Sequence, residues 1–409
     1  MVESGMTPKM AETASNCYDG SRQNNASPRR QLLRGLGAVA LAGVLSACQV
    51  VPRTGGPATP PPPSDPGESV GPGLPTDTDR HRVALLVPQT GPNADVGTAI
   101  ANATTMALLD TRTERLRITT YDTALGAAAA ARQAVADGNK LILGPLLSED
   151  VAAVAPIARG AKIPVLSFSN DSSVAGNGVF IMGFVPGQSV ERIVAFSRAK
   201  GHQRFGALVP KNVYGDRSAA AFRAAVAEAG GTLVALESYD RSATALTGAA
   251  RRVANAGDID AVLIADSGGN AIRAVPVIKS AGDRQILGTE LWNTDAVLAG
   301  SAAMRGAWFA SVSDGLYGQL ATKYRTRFGR APYRLASLGY DSVLLTVRIA
   351  RDWKPGTNFP VNRLLATDGF GGIDGIFRFN NRGIAERALE VSEIGAGGFR
   401  VIDPAPTKW

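Results

Sequence analysis

Six short segments gather side chains able to hold a small polar molecule. They are Pro88-Gln89-Thr90-Gly91-Pro92-Asn93, Gly144-Pro145-Leu146-Leu147-Ser148, Ser167-Phe168-Ser169-Asn170-Asp171, Lys211-Asn212-Val213-Tyr214-Gly215, Asp266-Ser267-Gly268-Gly269 and Glu290-Leu291-Trp292-Asn293. Hydroxyls, amides, a few carboxylates and aromatic rings are the usual lining of a small-ligand cleft. The candidate cleft residues are therefore Gln89, Thr90, Ser148, Ser167, Phe168, Ser169, Asn170, Tyr214, Asp266, Ser267, Glu290 and Trp292. Ser148, Asn170 and Ser267 are also favoured helix caps in their own right, so structural and binding roles compete at these positions.

Catalytic chemistry is poorly represented. No G-x-S-x-G elbow occurs, the closest run being Ala265-Asp266-Ser267-Gly268-Gly269, and there is no P-loop lysine motif. Gly369, Gly371, Gly372 and Gly375 follow no strand and read as a turn before a hairpin. The two cysteines, Cys17 and Cys48, both precede residue 50, which leaves no cysteine zinc site or disulfide in the body. With His81 and His202 the only histidines, no histidine-rich metal centre can be built either, and no metal or cofactor is expected. His202 follows Gly201 at a helix end and reads as a cap. Asp258 and Asp260 read as solvated, and Lys323, Arg325, Arg327, Arg330 and Arg334 as a solvated basic face around a helix end, with a partner surface as the alternative. The net charge of +8 comes from scattered residues, which does not point to nucleic acid.

The N-terminus carries a different chemistry. Arg29, Arg30 and Arg34 precede an apolar run from Leu36 to Leu45, giving a secretory signal peptide over 1–47. Leu45-Ser46-Ala47-Cys48 resembles the lipobox of bacterial lipoproteins, in which the cysteine thiol is lipidated and becomes the mature N-terminus. Arg29-Arg30-Gln31-Leu32-Leu33 also resembles a twin-arginine motif, so Sec and twin-arginine export both stay open. Residues 48–80 are dense in proline and glycine and read as a tether, spanning roughly 90 Å if fully extended as polyproline.

These loops need elements to position them. Short β-branched runs at 83–87, 116–121, 141–143, 163–168, 205–209, 232–237, 261–265, 285–287 and 307–312 alternate with alanine-rich helical stretches at 94–110, 124–136, 150–158, 189–199, 216–229 and 243–254. Such alternation gives parallel, doubly wound sheets with helices on both faces, and ligands meet the loops at the carboxyl ends of the strands. Nine strands exceed one compact sheet, so the fold class is α/β with two lobes. A stretch over 373–394 reads as a terminal hairpin. No internal sequence repeat is visible.

Five motifs occur in order: G-P-L-L-S at 144–148, K-I-P-V-L-S-F-S-N at 162–170, V-Y-G-D-R-S-A-A-A-F at 213–222, L-G-T-E-L-W-N at 287–293 and L-G-Y-D-S-V-L-L at 338–345. Together they resemble the type I periplasmic binding fold of the leucine/isoleucine/valine-binding proteins. The versions at 214–222 and 288–293 are most similar to LppC-like lipoproteins called penicillin-binding-protein activators. The resemblance implies two Rossmann-like lobes joined by three crossovers, placed near Pro186, near Ala310 and around 354–359. Lobe 1 then takes 81–186 plus about 311–356, and lobe 2 takes 187–310 plus about 357–405. It also implies that a ligand carboxylate would meet hydroxyls and amides at 146–148 and 167–169, where Leu146 and Leu147 are apolar, with Tyr214, Asp266 and Glu290 nearest to an ammonium group.

Two functions follow as expectations. One is a non-enzymatic outer-membrane lipoprotein, facing the periplasm and held by Cys48, that activates a penicillin-binding peptidoglycan synthase; Gln49 after Cys48 resembles the outer-membrane sorting pattern. The alternative is a substrate-binding receptor for an ABC permease, closing on an amino acid of branched-chain type.

Overall fold

The structure, a computed structural model, describes residues 79–409 except 241, 294 and 296. The expected signal peptide over 1–47, Cys48 and nearly all of the expected tether lie outside the described residues. Among the described residues no helix is long and apolar enough to cross a membrane.

Lobe 1 is built on a parallel sheet of β1 (His81–Val87), β2 (Leu116–Asp122), β3 (Leu141–Leu143), β4 (Val165–Ser167) and β5 (Val179–Ile181), ordered β2-β1-β3-β4-β5. Both faces are buried, which is why its strands read as nearly continuous apolar runs. Val83, Leu85 and Val87 pack on the face covered by α1 (Ala94–Thr111), while Ala84 and Leu86 pack on the face covered by α2 (Ala127–Ala136) and α3 (Ser148–Gly160).

Lobe 2 repeats the plan. Helix α4 (Pro186–Ala199) leads into β6 (Arg204–Pro210), α5 (Val213–Glu228), β7 (Thr232–Tyr239), α6 (Ala243–Asn255), β8 (Ala261–Ile264), α7 (Gly268–Lys279), β9 (Gln285–Gly288), the short α8 (Val297–Gly300) and β10 (Trp308–Ser311). Its core divides between a face packed on α4 and α5, around Phe205, Ala207 and Val209, and a face packed on α6 and α7, around Leu208 and Ile264. The kinship of the lobes, invisible as a repeat, shows in one backbone detail. A Cβ on Gly97 in α1 would lie 1.7 Å from the Pro88 carbonyl oxygen, and one on Gly215 in α5 would lie 1.8 Å from that of Pro210. In both lobes the helix after the first strand can close onto the end of that strand only without a side chain there.

After β10 the chain returns to lobe 1 as α9 (Gly315–Phe328) and α10 (Ala336–Ala350); α10 packs along α1, and Leu320 and Tyr324 of α9 bury beside them. A small antiparallel sheet of β11 (Phe370–Gly372), β12 (Gly375–Phe379) and β13 (Ala385–Arg387) follows. The chain then crosses to lobe 2 as β14 (Glu390–Gly395) and β15 (Gly398–Asp403), added antiparallel beside β10.

This return path corrects the expected third crossover. Residues 354–359 do not change lobes: Phe359, Leu364, Phe370, Phe377 and Phe379 all bury in the lobe 1 core, and Trp353 stacks on His81 with ring centroids 3.8 Å apart. The transfer falls instead at Ala388-Leu389, between β13 and β14, so 357–387 belongs to lobe 1 rather than lobe 2. The expected hairpin over 373–394 is likewise two units: β12 and β13 pair within lobe 1, while β14 pairs with β15 and β10 in lobe 2. Strand β5, within Gly178-Val179-Phe180-Ile181, is an addition to the expected set.

Candidate functional site

The carboxyl ends of the strands in both lobes face a shared cleft with a cavity of about 490 Å³. Lobe 1 lines it with Asn93 and Val96 at the start of α1, Leu146 and Leu147 before α3, Phe168 and Asn170 after β4, and Phe184. Lobe 2 contributes Tyr214 from the first turn of α5 and Glu290 and Leu291 after β9, while Arg334 and Leu335 close the floor ahead of α10.

On the lobe 1 wall the hydroxyls expected to meet a ligand are turned inward. Ser167 is fully buried and its Oγ donates to the Pro145 carbonyl at 2.9 Å while accepting from the Ser169 amide at 3.0 Å. Ser169 Oγ accepts from the Asp171 amide at 3.1 Å. Gln89 and Thr90 are tied to Asp122: the Gln89 amide donates to Oδ1 at 2.8 Å and Thr90 Oγ1 to Oδ2 at 2.7 Å. Burial pushes the Asp122 carboxyl up, but these bonds and one from the Ala124 amide outweigh it and hold the group below the usual carboxylate range. Ser148 opens α3, with Oγ 3.4 Å from Glu149 Oε2.

The lobe 2 wall is a polar network. The Tyr214 hydroxyl lies 2.8 Å from Thr289 Oγ1 and donates to Glu290 Oε1 at 3.0 Å, and Ser189 Oγ donates to the other carboxylate oxygen. Burial pushes the Glu290 carboxyl above its ordinary range, against the opposing pull of these hydroxyls; burial, then the Glu290 charge, pushes the Tyr214 hydroxyl well up. Three further candidates sit behind this wall. Asp266 accepts from the Tyr239 hydroxyl, the Ser267 amide at 2.6 Å and Asn270 Nδ2 at 3.0 Å. Ser267 caps α7 without a side-chain bond, and Trp292 is fully buried with Nε1 donating to the Asp266 carbonyl at 2.9 Å. Of the twelve sequence candidates, the cavity thus brings together Phe168, Asn170, Tyr214 and Glu290; Gln89, Thr90, Ser167, Ser169, Asp266 and Trp292 brace loops, while Ser148 and Ser267 sit at helix starts.

Two features escaped the sequence reading. Asp171 in lobe 1 and Arg217 on α5 in lobe 2 form an ion pair at 2.6 Å that ties the walls together. Both lie inside segments already singled out, but their pairing across 46 positions is a tertiary fact. The second is Arg334, expected on a solvated face. It is largely buried, stacks over the Tyr317 ring at 3.9 Å, and donates to fully buried Asp374, which also accepts from Ser337 Oγ at 2.6 Å. Arg387 and Asp341 complete the buried group: Arg387 Nη2 donates to the Met182 carbonyl at 2.6 Å, and burial, reinforced by Asp374, pushes the Asp341 carboxyl up to about 7. The neighbouring basic residues Lys323 and Arg330 pair at the surface with Asp110 and Asp95. Asp260, expected to be solvated, is bound by Arg204 at 2.7 Å, and His202 Nδ1 meets Ser197 Oγ at 2.9 Å at the end of α4.

Two doubly wound lobes, three chain passages between them and a cleft at the carboxyl ends of both sheets define a two-lobed α/β binding-protein fold. The chain belongs to the periplasmic binding protein family, whose model matches residues 81–398. A structure from Rhodospirillum rubrum, assigned to a branched-chain amino acid ABC transporter, is similar with a TM-score of 0.69 at 22% identity, covering 79% of this chain and 100% of that one. A solute-binding protein from Rhodopseudomonas palustris BisB5, in complex with 3,4-dihydroxybenzoic acid, has a TM-score of 0.62 at 20% identity, covering 81% and 97%. Full-length LpoA from Haemophilus influenzae has a TM-score of 0.64 at 19% identity, covering 80% of this chain and 59% of that one. At these identities the likeness is one of fold. A curated relative, uncharacterized protein RP748 of Rickettsia prowazekii (strain Madrid E), is 28% identical over 179 residues, 43% of this chain; the match spans about half of that relative's length, 48%.

Proposed function

We propose that this protein is a non-enzymatic envelope lipoprotein, anchored through Cys48 and facing the periplasm, whose binding-protein body regulates a penicillin-binding peptidoglycan synthase. The observation that carries this reading is the lobe 1 wall. Leu146, Leu147 and Phe168 face the cavity where an amino-acid carboxylate would need hydroxyls, and Ser167 and Ser169 are occupied by backbone groups. The cross-lobe pair of Asp171 and Arg217 supports it further, since it joins the two lobes through their own side chains. Such a body suits contact with a protein partner, and the activator-like motifs at 214–222 and 288–293 point to the synthase. Calorimetry with leucine, isoleucine and valine tests the reading: no saturable heat is expected, and a Kd in the nanomolar to micromolar range for any of them contradicts it.

The cavity itself favours a second reading. A space of about 490 Å³ is of small-ligand size, and a receptor that delivers a small molecule to an ABC permease would use it. Ligand-dependent capture of a permease distinguishes that reading from the first.

A further inference from the structure

A second cavity lies away from the cleft. A groove of about 830 Å³ opens at the opposite end of lobe 2, where the amino ends of β6, β8 and β9 and the segment before β10 come to the surface. The strands of both lobes run toward the cleft, so this groove lies at the pole of lobe 2 furthest from it.

Its charge is one-sided. Lys200, Arg204, Lys279, Arg284 and Arg305 line it against only Asp260 and Asp283. Asp260 and Arg204 neutralise each other, with Asp258 2.9 Å from the same guanidinium and the backbone amides of Gln203 and Arg204 each donating to Asp260 at 2.8 Å, so the excess positive charge rests on Lys200, Lys279, Arg284 and Arg305 against Asp283. Arg284 forms a buried floor, 7% exposed; its guanidinium donates to the carbonyls of Val253, Ala254 and Gly257, and among the described residues no carboxylate pairs with it. Lys200, Lys279 and Arg305 have no carboxylate within ion-pair distance among the described residues. Helix C-termini account for part of this, since Lys200 and Lys279 close α4 and α7 and Arg284 satisfies the end of α6. Arg305 follows a single 3-10 turn and has no such role.

We propose that this groove binds a ligand carrying at least two phosphate groups. Guanidinium and ammonium donors around a buried positive floor match phosphate oxygens, and the space exceeds what one phosphate fills. The site is independent of the cleft and of the partner reading above.

The test uses the full-length chain carrying Cys48→Ser, which removes the anchor, titrated with inorganic tripolyphosphate in low salt. Saturable binding is expected, weakening steeply as salt rises. Lys279→Ala with Arg305→Ala should weaken it by about tenfold or more, whereas Lys162→Ala with Arg223→Ala, which removes the same charge from other exposed positions, should leave it unchanged. A thermal melt of both double variants checks that they fold. Co-sedimentation with phosphatidylcholine vesicles containing cardiolipin separates the sources: a loss with Lys279→Ala and Arg305→Ala assigns the phosphates to lipid headgroups, while tripolyphosphate binding without vesicle binding assigns them to a soluble ligand. Equal weakening by the two double variants, or no saturable binding in low salt, overturns the proposal.

Discussion

On the lobe 1 side of the cleft, leucines and phenylalanines face the cavity while the nearby serine hydroxyls serve the backbone; on the lobe 2 side, Tyr214, Thr289, Ser189 and Glu290 join in one hydrogen-bonded network. The resemblance to amino-acid receptors assigns the carboxylate to the first wall and the ammonium group to the second. Here the first has lost its hydroxyl donors to the cavity, and the second retains a carboxylate that is already satisfied from within. The first wall thus lacks donors for a ligand carboxylate, and the carboxylate of the second is held by hydroxyls of its own lobe. The walls instead meet each other through Asp171 and Arg217, and they share a floor in Arg334.

That contrast can be broken at the floor, where the effect is largest. Among the described residues Arg334 is the only cation lining the cavity, so a ligand-holding role would make its loss a binding defect. Its place against fully buried Asp374 makes the expected outcome structural: Arg334→Ala should cost about 3–5 kcal/mol in denaturant unfolding, by leaving a buried carboxylate short of its cation. Normal stability in that variant would return Arg334 to the ligand.

The bridge between the walls comes next. Asp171→Ala should cost about 1–2 kcal/mol, since it uncaps the turn at Ser172–Val174 and leaves Arg217 unpaired, and it should raise the radius of gyration in solution scattering as the lobes part. Burial pushes the Asp171 carboxyl up, but bonds from Ser173 and Arg217 prevail and hold it below its ordinary value. Its contribution is therefore full above the usual carboxylate range and is lost as pH falls through the depressed value, so acid should open the wild type as well.

The smallest effect is a change of slope. Glu290, raised by burial, contributes stability that is full below the ordinary carboxylate range and is lost as pH rises through its raised value. Glu290→Gln should flatten that part of the curve of stability against pH. The apolar lobe 1 wall offers no counterpart: Leu146→Ser should leave the slope as it is.

Much of the fold is legible in the sequence because strands buried on both faces must be written as β-branched runs, and because helices between them repeat at regular spacing. Strand β5 is hemmed by Gly176, Gly178 and Gly183, the composition of a turn rather than of a strand, whereas β3, equally short, stands out as an uninterrupted Leu-Ile-Leu run. The third passage between lobes is hidden for a different reason. Trp353 and Phe359 flank a Pro-Gly turn that looks like a linker, yet both are drawn into the lobe 1 core, Trp353 by stacking on His81 at the other end of the domain. In the cleft, residue type is readable but direction is not. A serine in a loop after a strand can face a ligand or a carbonyl, and Ser167 turns to Pro145 across 22 positions. Arg334 looks solvated until Asp374, 40 positions on, is folded beneath it.

The central claim, that the body works through a protein partner rather than an amino acid, is tested most directly by photocrosslinking in intact envelopes. Crosslinkers would replace exposed apolar residues of the body, such as Leu125 in lobe 1 and Val213 in lobe 2. The predicted result is a covalent adduct with a penicillin-binding peptidoglycan synthase, unaffected by added branched-chain amino acids. An adduct with an ABC permease that strengthens when those amino acids are added would contradict it.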